Sequence, residues 1–90
     1  METKEDPAMN MIYNSPSYCV VEFRDVDTQS VGGYEIMDKA ARREIFIAGA
    51  LALRFRSDVE NLIATEPTIE EVDAYLSQFD DLMQHPITLH

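Results

Sequence analysis

Two different periods run along this chain, and the change from one to the other falls near residue 50. Met11 to Tyr13 is a short β-prone stretch that stops at the turn-formers Asn14, Ser15, Pro16 and Ser17. Tyr18 to Phe23 resumes with strand-favouring residues, which predicts a hairpin. Arg24 to Gly33 is polar and closes on Gly32-Gly33, the composition of a flexible turn, and Tyr34 to Met37 returns to β-type residues. The next stretch carries conflicting signals, because Lys39 to Arg43 favours helix while Ile45-Phe46-Ile47 favours strand. One helix from Ala40 to Ala64 would enclose Gly49 at a cost of about 1 kcal/mol relative to alanine and would spread Ile45, Phe46 and Ile47 around its whole circumference. A strand ending at Gly49 avoids both, so a second hairpin is predicted.

From Ala50 the apolar positions take helical spacing. Leu51, Phe55, Val59, Leu62 and Ile63 form one stripe that closes before Pro67, predicting a core-facing helix. The second helix has the best-specified start: Thr68 is a good N-cap, Glu71 three positions later completes a capping box, and Pro67 precedes them. Ile69, Val72, Leu76, Phe79 and Met83 then recur at steps of three and four, while Glu70, Glu71, Asp73, Asp80 and Asp81 lie mostly off that face. Pro86 marks the exit, and Ile87, Thr88 and Leu89 offer a short final strand. The predicted architecture is α+β: a small antiparallel β-meander of three to five short strands, packed on a two-helix hairpin held side by side by the Thr65 to Pro67 turn. Residues 1–9 are polar, contain Pro7 and show no period, so they read as a loose tail ahead of a single domain over 10–90.

Composition bounds what such a domain can do. Ninety residues, 46% of them hydrophobic and 27% charged, suit one modest core. A chain of that length buries roughly 60% of its unfolded surface, and pairing into a homodimer would reinforce it. Cys19 is the only cysteine, so no disulfide forms within the chain, and its apolar neighbours mark it as a buried thiol. Met1 to Asn10 carries Glu2, Glu5 and Asp6 where a secretory signal needs a basic and then an apolar region. The apolar stretch Ile45 to Leu53 is far short of the roughly 18 residues that span a bilayer, so the expectation is a cytoplasmic protein that uses no membrane.

Seventeen acidic residues against seven basic ones give a net charge of −10, which repels phosphate backbones at long range and makes nucleic acid an unfavoured partner. The distribution is uneven, since Lys39, Arg42, Arg43, Arg54 and Arg56 fall together in a basic middle whose only acid is Glu44.

Several short segments carry a resemblance: Met11-Ile12-Tyr13-Asn14-Ser15, Gly33-Tyr34-Glu35-Ile36, Asp38-Lys39, Arg43-Glu44-Ile45-Phe46-Ile47, Gly49-Ala50-Leu51-Ala52, and the ending Leu82-Met83-Gln84 with Pro86 and Leu89-His90. At this spacing the chain resembles a family of short, uncharacterised betaproteobacterial proteins of about ninety residues. The resemblance covers roughly Met9 to His90 and implies a bacterial cytoplasmic protein. It implies no activity and no site residues.

Candidate chemistry is sparse. Both histidines, His85 and His90, lie in the last six residues, so neither is a convincing base for a nucleophile, although a final strand beside the second would bring Cys19 toward His90. Asp80, Asp81 and His85 fall short of the four ligands of a structural metal site, with Asp81 and His85 at i, i+4 if the helix continues. Glu70 and Glu71 suit the first turn of a helix. Gly32-Gly33 lacks the helix and lysine of a phosphate loop. No catalytic residue, cofactor or metal is expected. The leading expectation is a non-enzymatic protein–protein interaction or regulatory module with an unidentified protein partner, acting through a sheet edge, the acidic helix, or Tyr13 and Tyr34 as aromatic anchors. The alternative is binding of nucleic acid or a phosphate ligand through Arg42, Arg43, Arg54 and Arg56. The basic middle could instead pair with the acidic second helix, within one chain or across a dimer.

Overall fold

A computed structural model describes residues 9–25, 27–28, 30–83 and 85–86. Four strands run as an antiparallel meander in sheet order: β1 (Met9–Asn14), β2 (Tyr18–Arg24), β3 (Val31–Asp38) and β4 (Arg43–Ile47). Two helices follow, α1 (Gly49–Ile63) and α2 (Ile69–Leu76), and α2 runs directly into a 3₁₀ turn over Ser77–Leu82. A two-residue strand, β5 (His85–Pro86), then pairs antiparallel with β4 at the sheet edge, where a proline removes no internal ladder bond. The α+β meander with two helices is the fold the periodicity predicts. The final strand sits on His85 and Pro86, and Ile87 to Leu89 lie outside the described residues.

The conflicted stretch around residue 43 is a strand. Asp38 makes the β3–β4 turn: its carbonyl accepts from Arg42 N at 2.8 Å and its side chain from Ala41 N at 3.0 Å, which holds Arg42 in the left-handed region at φ 60°. The helical propensity of Lys39 to Arg43 is spent on this single turn. Gly32 and Gly33, predicted as part of a turn, instead lie within β3. A Cβ on Gly33 would stand 2.5 Å from the Ile47 carbonyl oxygen and 2.6 Å from the Phe46 ring, so the position excludes any side chain because Phe46 lies over it. The turn proper is tighter and earlier, with the Asp25 carboxylate accepting from Asp27 N and Thr28 N.

Period-two alternation sends Tyr18, Val20 and Glu22 of β2, Tyr34 and Ile36 of β3, and Ile45 and Ile47 of β4 to the helix side. There they meet Ala52 and Phe55 of α1, Leu76 of α2, and Phe79 and Met83 beyond it. Phe55 is the hub, with ring centroids 4.9 Å from Tyr34, 5.7 Å from Phe79 and 6.1 Å from Tyr75. The α2 stripe survives the change to 3₁₀ geometry, since Phe79 and Met83 remain buried. The ends of both predicted stripes do not: Leu51, Ile63 and Ile69 are exposed, and Ala52 takes the buried place at the start of α1. The Thr68–Glu71 capping box forms in both directions, at 2.8 and 3.1 Å.

A bulge between Met11 and Tyr13 decides what β1 contributes. The extra residue, Ile12, breaks the alternation so that Met11 stays opposite Val21 while Tyr13 comes opposite Val20, on the helix side. The Tyr13 hydroxyl can then donate to Asp73 of α2 at 2.8 Å.

Candidate interaction face

The same alternation sends a second set of side chains to the other side of the sheet. Met9 and Met11 of β1, Cys19, Val21 and Phe23 of β2, Glu35 and Met37 of β3, and Glu44 and Phe46 of β4 share that face, and no described helix covers it. Its centre is nonetheless shielded. Cys19 is 4% exposed, Glu35 6% and Glu44 8%, whereas Met11 and Phe46 are 58% and 54% exposed and stand as a raised rim. Phe46 leans over Gly33 and meets Phe23 edge to face at 5.6 Å. The result is an apolar, methionine-bearing floor containing two carboxylates.

The register places Glu44 opposite Met37 and Glu35 opposite Phe46, so the carboxylates are diagonal neighbours on adjacent strands. Glu44 Oε1 is buried and has no hydrogen-bond partner among the described residues. An unmade bond of this kind costs about 1–3 kcal/mol, and more when the group is charged. Burial pushes the Cys19 thiol above its ordinary range, with the charge of Lys39 opposing and that of Glu35 adding, so Cys19 is a poor nucleophile. The strand that carries His85 pairs with β4, two strands away from β2, and His90 lies outside the described residues.

Both tyrosines proposed as anchors face the helices. Tyr34 is buried against Phe55 and its hydroxyl donates to Glu22 at 3.4 Å, and Tyr13 is half-buried and bonded to Asp73. Tyr18 donates to Asp80 at 2.9 Å and Tyr75 to Asp58 at 3.3 Å, so every tyrosine in the chain is tied to a carboxylate. Burial first, and the neighbouring carboxylate second, raise each phenol above its usual value, to about 12 for Tyr75. Part of the acidic excess is thereby structural. Asp80 accepts from Tyr18, and the helix ends before His85, so the spacing of Asp81 and His85 does not put them on one helical face.

The basic middle is dispersed. Lys39 Nζ donates to the Asn14 side chain and, at 2.7 Å, to the Ser15 carbonyl, which fastens the β3–β4 turn to the β1–β2 turn. Arg43 reaches the Met83 carbonyl at 3.4 Å, and Arg56 pairs with Glu60 at 3.3 Å. Arg42 and Arg43 stand at one end of β4, while Arg56 lies beside Glu22 and Tyr34 at the other, with about 13 Å of strand between the two ends. Among the described residues the ion pairs are Arg24–Glu22 and Arg56–Glu60, and neither joins the basic middle to α2.

Strand propensity marks β2 and β3 as strands without saying that both of their sides are apolar. The available signal was Tyr18 to Val21, a continuous apolar run, which is what a strand with two apolar faces looks like.

These features define a small α+β two-layer domain with one apolar sheet face packed on the helices and one that no described helix covers. The chain belongs to the family described as protein of unknown function (DUF3567), which it matches over residues 9–90. It is similar to Protein BTH_I0359 of Burkholderia thailandensis, with 59% identity over 85 residues that cover 91% of this chain and 100% of that protein. No solved structure matches it. Among the described residues, no helix is long and apolar enough to cross a membrane and no group of acidic, histidine or cysteine side chains could hold a metal ion.

Proposed function

We infer that this protein is a non-enzymatic interaction module, and that the uncovered sheet face seats a partner segment presenting apolar side chains around one lysine or arginine. The observation that carries the reading is Glu44, a carboxylate embedded among apolar groups with one buried oxygen left without a donor. The described residues offer that oxygen no donor, while an incoming ammonium or guanidinium would supply one in a site already shielded from water. The methionines suit a surface that adapts to a partner's shape, and Phe46 and Met11 project far enough to be buried by one. A net charge of −10 also steers a cationic segment inward.

A second copy of the chain fits less well. Two such faces in contact would bring the Glu44 carboxylates of both copies into one apolar interface. The phosphate-binding alternative loses support as well, since Lys39, Arg43 and Arg56 are engaged within the chain.

The test is site-specific photo-cross-linking in the native cell. A photoreactive phenylalanine at position 46 should capture a discrete protein, the same probe at Leu53 on the exposed side of α1 should not, and Glu44→Lys should abolish capture from position 46. Capture undiminished by Glu44→Lys, or equal from both positions, would overturn the reading.

A further inference from the structure

The helical layer contains a second feature that the interaction face does not use. A cavity of about 140 Å³ lies between α1, α2 and the β1 bulge, walled by Phe55, Val59 and Leu62 on one side, Val72 and Leu76 on another, and Ile12 beneath. The bulge shapes it, since it lets the adjacent residues Ile12 and Tyr13 both line the cavity. Ile12 and Ile63 line the cavity yet are 42% and 60% exposed, which identifies them as its mouth.

We propose that this cavity is a binding site for a small uncharged apolar group, of the size of a single aromatic ring or a branched four- to six-carbon chain. Three observations define that class. The volume is close to the roughly 150 Å³ at which an apolar cavity stays dry and admits benzene. The hydroxyls on its wall, those of Tyr13 and Tyr75, donate to Asp73 and Asp58, so the wall offers a polar ligand no free donor. Those carboxylates, with Glu70 near Tyr13, surround the flanking tyrosines with negative charge, which disfavours an anionic ligand such as a carboxylate.

Toluene and benzoate serve as probes of equal ring size and different charge. In methyl-detected NMR of the full chain, toluene should shift Val59, Leu62, Val72 and Leu76 saturably and raise the melting temperature, and benzoate should bind at least roughly tenfold more weakly. Val72→Phe fills the cavity and should abolish the toluene shifts. If that variant does not fold, Val59→Leu, which adds one methylene to the wall, should weaken toluene binding instead. The proposal is overturned if toluene at its solubility limit leaves these methyls unmoved, if benzoate binds as well as toluene, or if the filled variant responds like the parent. Because Glu44 and Phe46 lie on the opposite side of the sheet, toluene binding that persists in Glu44→Lys separates this site from the interaction face.

Discussion

The two sides of this sheet are made from the same strands by the same alternation, and they are finished differently. On the helix side every polar group that enters the core brings its partner: Tyr18 with Asp80, Tyr34 with Glu22, Tyr13 with Asp73. On the other side Glu44 is almost as buried and has an oxygen with no partner among the described residues. On the proposed function, that difference separates a surface completed within the chain from one that a partner completes. Hydrophobicity alone would not distinguish them, because Val21 and Cys19 are as buried as Val20 and Tyr18.

The comparison is broken most severely at Phe55, where the helix side converges. Phe55→Ala removes the ring shared by Tyr34, Tyr75 and Phe79 and should cost about 3–5 kcal/mol, a large share of the roughly 5–13 kcal/mol expected of a domain this size. Urea denaturation should show the midpoint collapsing or the protein unfolded in buffer. Next in size is Gly33→Ala. The new methyl meets the Ile47 carbonyl oxygen, which cannot swing aside, as well as the Phe46 ring, so a loss of about 2 kcal/mol is expected by the same measurement. An unchanged midpoint would show that Phe46 does not lie over Gly33 in solution.

A smaller effect of opposite sign is expected at Glu44. Glu44→Met removes an unsatisfied carboxylate from an apolar floor and should stabilise the isolated chain by about 1 kcal/mol, while cross-linking from position 46 falls. Destabilisation by Glu44→Met would mean that the carboxylate is satisfied in the monomer and would remove the main support for the interaction face. The smallest effect is the alkaline limb. Tyr75 holds its proton to about 12 in the folded chain against 10.0 when unfolded, so the folded state binds more protons in that window. The stability this contributes is complete below pH 10 and is lost as the pH rises through about 12. Tyr75→Phe should therefore flatten the decline in stability between pH 10 and 12, and an unchanged slope would mean that the phenol is not held by Asp58 and burial.

Much of the fold was legible in the residues. The Thr68–Glu71 capping box, the 3,4 spacing from Val72 through Met83, the two hairpins and the strand at Ile45 to Ile47 follow from local propensity and period, which act over one or two turns of chain. The site was far less legible. Tyr13 and Tyr34 carry no mark of which face they take, and a one-residue bulge at Ile12 is enough to decide it for Tyr13. The arginines were close in sequence and are separated in space, because β4 and α1 lead away from the turn that holds Arg42 and Arg43.

The sequence by itself determined the order and type of the main strands and helices, the start of α2 at its capping box, and the total charge. Only the tertiary structure decided which face the two helices cover, since the strands are apolar on both sides and period two treats those sides alike. It also decided which carboxylates accept from tyrosines and that Glu44 has a buried oxygen with no donor among the described residues. Hydrogen bonds such as Tyr13–Asp73 and Tyr18–Asp80 join residues some sixty positions apart, so no local pattern contains them. They exist because the meander lays β1 and β2 under α2 and the turn that follows it.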